Sequence, residues 1–200
     1  MKRHIRRRLK QTQYIFYRET LVDFKDHFWS FLGAFFGIGL IAFLQSQQIS
    51  EIENVFLIGS FGASSVLVYG AVNSPLAQPR NLIGGHVFSA LVGVTVYKLC
   101  PDILWLNASL AVAFSIVVMQ ITKTMHPPGG ATALIAILPS EKIQALGYWY
   151  ALSPVLSGAI ILLIVALIFN NIPKGRKYPH HVRQSKYLHM RRMFKNKNKN

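Results

Sequence analysis

Between Asp26 and Asn171 lie 144 residues with only eight charged side chains: Arg80, Lys98, Lys123 and Lys142, and Glu51, Glu53, Asp102 and Glu141. Soluble domains devote about a quarter of their residues to charge, because their surfaces must face water. This stretch cannot cover a globule of its size with charge, so its solvent is lipid. The flanks are the opposite: residues 1–26 hold eight Lys/Arg and residues 171–200 hold ten. The net charge of +15 would suit a nucleic-acid partner. Its concentration beside apolar spans is instead what the positive-inside rule requires, and no nucleic-acid partner is expected.

Six apolar stretches follow one another: Trp29–Ser46, Val55–Val72, Leu82–Leu99, Ile103–Thr122, Gly129–Leu138 and Ala151–Phe169. A helix needs about 20 residues to cross the hydrocarbon core. Five stretches reach or approach that length, and the fifth does not. The first run begins too far into the chain for a cleavable signal peptide and reads as a retained span. Two basic tails both belong in the cytoplasm, so the number of crossings must be even. Six crossings put all four acidic residues of the middle region outside, and Arg80 and Lys123 inside; Lys98 and Lys142 fall outside, against the trend. The fifth stretch can reach across if Met125-His126-Pro127-Pro128 is extended before a half-helix. About four extended and ten helical residues give roughly 27 Å against a core of about 30 Å.

The second and fifth stretches resemble each other. Gly62-Ala63-Ser64-Ser65-Val66-Leu67 aligns with Gly130-Ala131-Thr132-Ala133-Leu134-Ile135, an offset of 68 that also sets Ser89 on Ser157. Three elements per half would make the halves inverted in the membrane, with a site where broken helices meet. The expected fold is therefore an all-α membrane protein of six apolar segments. It forms two inverted three-element repeats, with broken or re-entrant half-helices at segments two and five. Residues 1–28 form a basic cytoplasmic segment, within which 4–28 read equally as an amphipathic surface helix or a solvated linker. Residues 29–170 form the transmembrane domain, and 171–200 a disordered basic tail attracted to anionic headgroups. A chain of this size is expected to form a homo-oligomer.

Candidate chemistry concentrates in His126-Pro127-Pro128-Gly129-Gly130-Ala131-Thr132. Pro128 suits a first helical turn. The amides of Gly129 and Gly130 would then lack partners at the start of a half-helix, in lipid, where each costs several kcal/mol. A small anion would satisfy them, helped by the helix dipole and the Thr132 hydroxyl. The other reading is a tight helix junction, with glycines for close packing. Gly62, Ser64 and Ser65 offer a second group of the same kind. Arg80 either draws anions toward a pore or anchors a cytoplasmic loop. His86 and His126 are the histidines near or inside spans, and either could couple proton movement to that of an anion; helix packing and capping are the alternatives. The small pairs Gly33/Gly37 and Ser89/Gly93 mark close helix contacts.

Other chemistries lack material. No Asp or Glu falls within a span, so paired-carboxylate hydrolysis has no residues, and an enzyme is not expected. Cys100 is the one cysteine, which excludes an intrachain disulfide and a multi-thiolate metal site. His180, His181 and His189 lie in a solvated basic tail, and no metal site or cofactor is expected. No phosphate-binding loop motif is present.

At these residues the sequence resembles the HPP family of integral membrane proteins. The run from His126 to Leu134 looks like the family signature. Phe61-Gly62-Ala63-Ser64, Ser74-Pro75-Leu76-Ala77-Gln78-Pro79-Arg80-Asn81 and Gly84-Gly85-His86 look like its other typical stretches. The family is usually described with four transmembrane helices, which would make segments two and five re-entrant. Its plant and cyanobacterial members have been assigned as nitrite transporters. The resemblance implies a transporter of a small inorganic anion, with nitrite the leading choice. A bacterial plasma membrane is the expected location, and the basic tails place both termini in the cytoplasm. The competing function is a non-transporting scaffold whose basic tails bind anionic lipid or a soluble partner.

Overall fold

A computed structural model of the chain describes residues 24–46 and 51–180. These residues are all-helical, with no strands among them. The proposed surface segment before residue 24 and the tail beyond residue 180 lie outside the described residues. Helix α1 runs Phe24–Ser46, so Phe28, assigned above to the N-terminal segment, lies inside the first span. Helix α2, Glu51–Ser65, continues without a break into a π-helical turn, Val66–Gly70. Ser74 then caps a short 3-10 turn, Pro75–Ala77, its Oγ accepting the Leu76 amide at 3.2 Å.

Helix α3, Pro79–Leu99, opens on a proline at the first turn, where the missing N–H is not needed. It stops before Pro101, which cannot continue a helix and biases Cys100 to the extended form observed (φ −99, ψ 153). Helix α4 is Leu104–Thr122 and ends at Lys123, which takes the left-handed conformation (φ 56). Helix α5, Pro128–Ile137, is ten residues long. The short α6, Glu141–Leu146, is capped by Ser140, whose Oγ accepts the Ile143 amide at 3.2 Å. The last apolar stretch is kinked: Ser153, before Pro154, is extended (φ −136, ψ 121) within the π-helical Ala151–Leu156, and α7, Ser157–Phe169, follows.

Among the described residues, four helices are long and apolar enough to cross a membrane: Lys25–Gln45, Pro79–Leu99, Leu104–Thr122 and Ala151–Phe169. The packing is that of a lipid-solvated bundle. In α4 the buried positions are Asn107, Ala111, Ser115 and Met119, a stripe at four-residue spacing. Its opposite faces expose Phe114, Val117 and Ile121. Likewise α1 exposes Phe31, Phe35 and Phe43, and α7 exposes Ile164 and Ile168. In water such faces would drive aggregation; in lipid, which is as apolar as they are, they cost nothing. Helix α3 is central, packing on α4, α5 and the kinked last helix.

Small residues permit that closeness. A Cβ added at Gly93 would lie 2.5 Å from the Ala133 carbonyl, and one at Gly129 would lie 2.6 Å from the Gly85 carbonyl. Gly33 seats the ring of Tyr69: a Cβ there would lie 2.6 Å from Tyr69 Cδ1, and one at Gly37 would overlap Tyr69 Oη. The glycine pair of the first span therefore receives an aromatic ring from the π-helical turn, and Tyr69 Oη donates across it to the Leu162 carbonyl at 3.1 Å.

Hydrogen bonds gather element ends into two groups. At one end, Arg176 bonds Asp26 Oδ1 (2.8 Å), the Asp26 carbonyl (2.6 Å) and Ser30 (3.0 Å). There too, Asn170 donates to the Val68 carbonyl (3.0 Å) and Tyr178 to that of Ala77 (2.8 Å). Residues 171–180, read above as the start of the tail, thus fold back onto the helices, with Tyr178 buried. At the other end, Gln45 donates to the Pro154 carbonyl at 3.3 Å and the Lys98 ammonium lies 5.7 Å from the Tyr148 ring centroid.

Candidate functional site

Where α2, α3 and α5 meet, five buried side chains form one polar cluster inside the apolar bundle: Ser60, Ser64, His86, His126 and Thr132. Ser60 and Ser64 share a face of α2 because they are four residues apart. His86 lies in the first half of α3, and Thr132 lies one turn into α5. His126 comes from the segment before α5, and a Cβ added at Gly85 would overlap its own Cβ, so only glycine lets the histidine sit this close to α3.

Ser64 Oγ lies 2.7 Å from His86 Nε2 and 2.9 Å from His126 Nε2. His86 Nδ1 lies 2.7 Å from Thr132 Oγ1, which is itself 2.7 Å from Ser60 Oγ. Ser60 Oγ is also 3.2 Å from the Pro128 carbonyl. His126 Nδ1 is 2.9 Å from the Leu76 carbonyl. A carbonyl can only accept, so His126 Nδ1 carries a hydrogen. The two imidazole centroids are 4.9 Å apart and both side chains are fully buried. Two positive charges at that separation would repel by about 3 kcal/mol even at an effective dielectric of about 20. None of the cluster's hydrogen bonds goes to a carboxylate, so at most one imidazole is charged.

The amides of Gly129 and Gly130 are not free. They donate to the carbonyls of His126 (2.8 Å) and Pro127 (3.0 Å). The expectation of an extended lead-in through Pro128 fails at Pro127, which is already helical (φ −51, ψ −39) and turns those carbonyls toward the amides. The space beside Gly129 is filled by the Gly85 backbone and Ser89 Oγ. The amide-lined anion site expected at this half-helix is therefore not formed, and the tight helix junction is. Pro128 contributes its carbonyl to Ser60. Gly130 has only Val112 near its open side, at 4.0 Å.

The other candidates separate. Ser65 is buried with no hydrogen-bond partner for its Oγ, and Ser89 Oγ is likewise unpartnered. Gly62 has open space on its Cβ side. Arg80 is exposed and donates from Nη2 to the Thr122 carbonyl at 2.6 Å, tying the start of α3 to the end of α4. It is a loop anchor in this arrangement and does not reach the cluster. Ser60 belongs to the small, hydroxyl-bearing stretch 59–65 and joins through its spacing to Ser64, whereas Tyr150, whose hydroxyl donates to the Thr132 carbonyl at 3.0 Å, was not singled out from sequence. Among the described residues no group of three His, Cys, Asp or Glu is arranged to hold a metal.

Buried hydroxyls and imidazoles in a bundle whose outer faces are aliphatic and aromatic define a polytopic helical membrane protein with a polar centre. The chain belongs to the HPP family: its residues 19–179 match the family's transmembrane region. A transmembrane protein of Dictyostelium discoideum is 45% identical over 163 residues, which are 78% of this chain and 51% of that protein. A second transmembrane protein from the same organism is 42% identical over 168 residues, 81% of this chain and 58% of that protein. The chain thus spans just over half the length of each of these relatives. No solved structure matches it.

Proposed function

We propose that this chain is the membrane unit of a transporter for a small inorganic anion, nitrite first among them, and that solute passes at the cluster of His86, His126, Ser64 and Thr132. The observation that carries the reading is the cluster itself. Ionisable side chains inside a membrane are costly and mark pathways or relays. The solute class comes from the resemblance to nitrite-transporting members of the family.

We propose further that the chain passes six times between the two membrane faces, with both termini cytoplasmic. Support comes from the grouping of ends: the starts of α1 and α3 share one end with the close of the π-helical turn, of α4 and of α7. The pass made by α5 with its lead-in is the interrupted one, whereas α2 runs on through its π-helical turn, so the break expected in the second stretch is not there. The halves α1–α3 and α4–α7 then read as inverted repeats. The 68-residue offset pairs Ser60 with Pro128, and these two are hydrogen-bonded, as residues flanking a two-fold axis would be.

A second reading, a non-transporting scaffold, is favoured by the closure of the cluster, whose polar atoms satisfy one another. Two experiments separate the readings. Purified protein in liposomes should take up nitrite above protein-free vesicles, in competition with other small anions. Removing residues 181–200, which leaves the packed Arg176 and Tyr178 in place, should preserve that flux; a scaffold would show no flux and lose its partner.

A further inference from the structure

We propose that His86 and His126 form one shared binding site for a single proton, in which Ser64 reverses the direction of a hydrogen-bonded chain. The assignment deepens the transport reading by naming the coupled ion, and its use in coupling rests on that reading; the site itself rests on geometry alone.

One unprotonated arrangement gives every ring nitrogen a hydrogen-bond partner. His126 Nδ1 must donate to the Leu76 carbonyl, so in a neutral ring Nε2 is a lone pair and accepts from Ser64. Ser64 has one hydroxyl hydrogen. Having given it to His126, it can only accept from His86, whose Nε2 therefore carries a hydrogen. His86 Nδ1 then accepts from Thr132, and Thr132 accepts from Ser60. Hydrogens all point one way, from Ser60 toward Leu76, and the two neutral histidines are opposite tautomers.

Adding one proton gives a second complete pattern. With hydrogens on both nitrogens, His126 donates from Nε2 to Ser64. The hydrogens pass along the chain: Ser64 gives its hydrogen to His126 Nε2 and takes that of His86 Nε2, His86 Nδ1 takes that of Thr132, Thr132 takes that of Ser60, and Ser60 takes the incoming proton; Ser64 then donates to His86 Nε2, and His86 donates from Nδ1 to Thr132. Thr132 donates to Ser60, and Ser60 to the Pro128 carbonyl, 3.2 Å away. The five side chains hold five exchangeable hydrogens before and six after, so one proton enters and none leaves. A second would put two charges on rings 4.9 Å apart. The rival protonated pattern sends the Ser64 hydrogen to the Ser60 carbonyl at 3.2 Å and leaves His86 unchanged; the 2.7 Å contact to His86 Nε2 is the shorter path.

Among the described residues, no charged side chain makes a hydrogen bond to the cluster. From α2 come Ser60, Ser64 and the Phe61 ring, and from α3 Ser89. From α5 comes Thr132, and from just before the last apolar stretch Tyr150, hydrogen-bonded to the Thr132 carbonyl. Arg80 and Lys123 lie at the nearby end of the bundle, both exposed. A proton held here gives the centre one positive charge, the counter-charge a small anion needs.

The test is nitrogen NMR of isotope-labelled histidine in the full-length protein in lipid nanodiscs, assigned with His86→Gln and His126→Gln. At alkaline pH, His126 should carry its hydrogen on Nδ1 and His86 on Nε2. On acidification, His126 should become imidazolium and His86 should move to Nδ1 in the same step; Ser64→Ala should uncouple the two. Identical tautomers, an unchanged His86 while His126 titrates, two imidazolium rings, or no titration down to the acid limit of folding would each overturn the proposal. Because the readout needs no flux, failure of anion transport leaves it standing, and its own failure leaves transport untouched.

Discussion

The imidazoles of His86 and His126 lie 4.9 Å apart inside the bundle, joined by one serine oxygen, that of Ser64. That arrangement draws on three chain segments and depends on glycines that let them meet. Its stability and its use are open to separate experiments.

Gly129 and Gly130 should respond differently to alanine. A Cβ at Gly129 would press on the Gly85 carbonyl at 2.6 Å and on Ser89 Oγ at 2.7 Å, whereas one at Gly130 meets only Val112 at 4.0 Å. Gly129→Ala should destabilise by about 1–3 kcal/mol, the usual range for overpacking. Gly130→Ala should stay within about 0.5 kcal/mol. Unfolding in detergent micelles measures both.

How much of this was legible beforehand depends on which groups carry it. Hydropathy marked the four long helices, because lipid exposure demands continuous apolar runs. His86, His126, Ser64 and Thr132 stood out as polar groups in such runs. The state of the Gly129 and Gly130 amides was not legible: it turns on Pro127 being helical, and proline suits a first helical turn as well as an extended segment. The Leu76 carbonyl, which fixes the His126 hydrogen, is a backbone group that no residue type announces. Arg80 was readable as a cation but not as the partner of the Thr122 carbonyl. Pro154 could have signalled the kink in the last span, since proline inside a helix removes a hydrogen bond.

The seat of Tyr69 on Gly33 gives a rescue experiment. Gly33→Ala should lower the unfolding midpoint, because its Cβ would lie 2.6 Å from the ring. The double variant Gly33→Ala/Tyr69→Ala should lose much less than the sum of the two single losses, since the collision is then gone. Strict additivity in the same micelles would count against the contact.

Arg176 makes contacts that survive loss of its carboxylate partner. Asp26→Asn removes a part-buried ion pair, worth about 1 kcal/mol with solvent screening at the aspartate, and leaves the bonds to the Asp26 carbonyl and Ser30. Arg176→Ala removes all of them. Limited trypsin digestion should cut after Lys174 and Lys177 sooner in Arg176→Ala than in Asp26→Asn.

Burial raises the Tyr178 phenol well above its ordinary value of 10.0. Because the neutral form is the one favoured by folding, its contribution is full below pH 10.0 and fades as pH rises beyond it. Tyr178→Phe, which loses the bond to the Ala77 carbonyl, should be less stable by about 1 kcal/mol at neutral pH. The gap to wild type should narrow at alkaline pH, measured by unfolding across that range.

Whether the cluster is a transport centre is tested most directly by nitrite uptake into liposomes holding wild-type protein or the Ser64→Ala and His126→Ala variants, each shown to be folded by its melting curve. Wild type should exceed protein-free vesicles. Each variant should fall by about tenfold or more, the effect of leaving a buried polar group unpaired. Folded variants that carry nitrite at the wild-type rate would contradict the account.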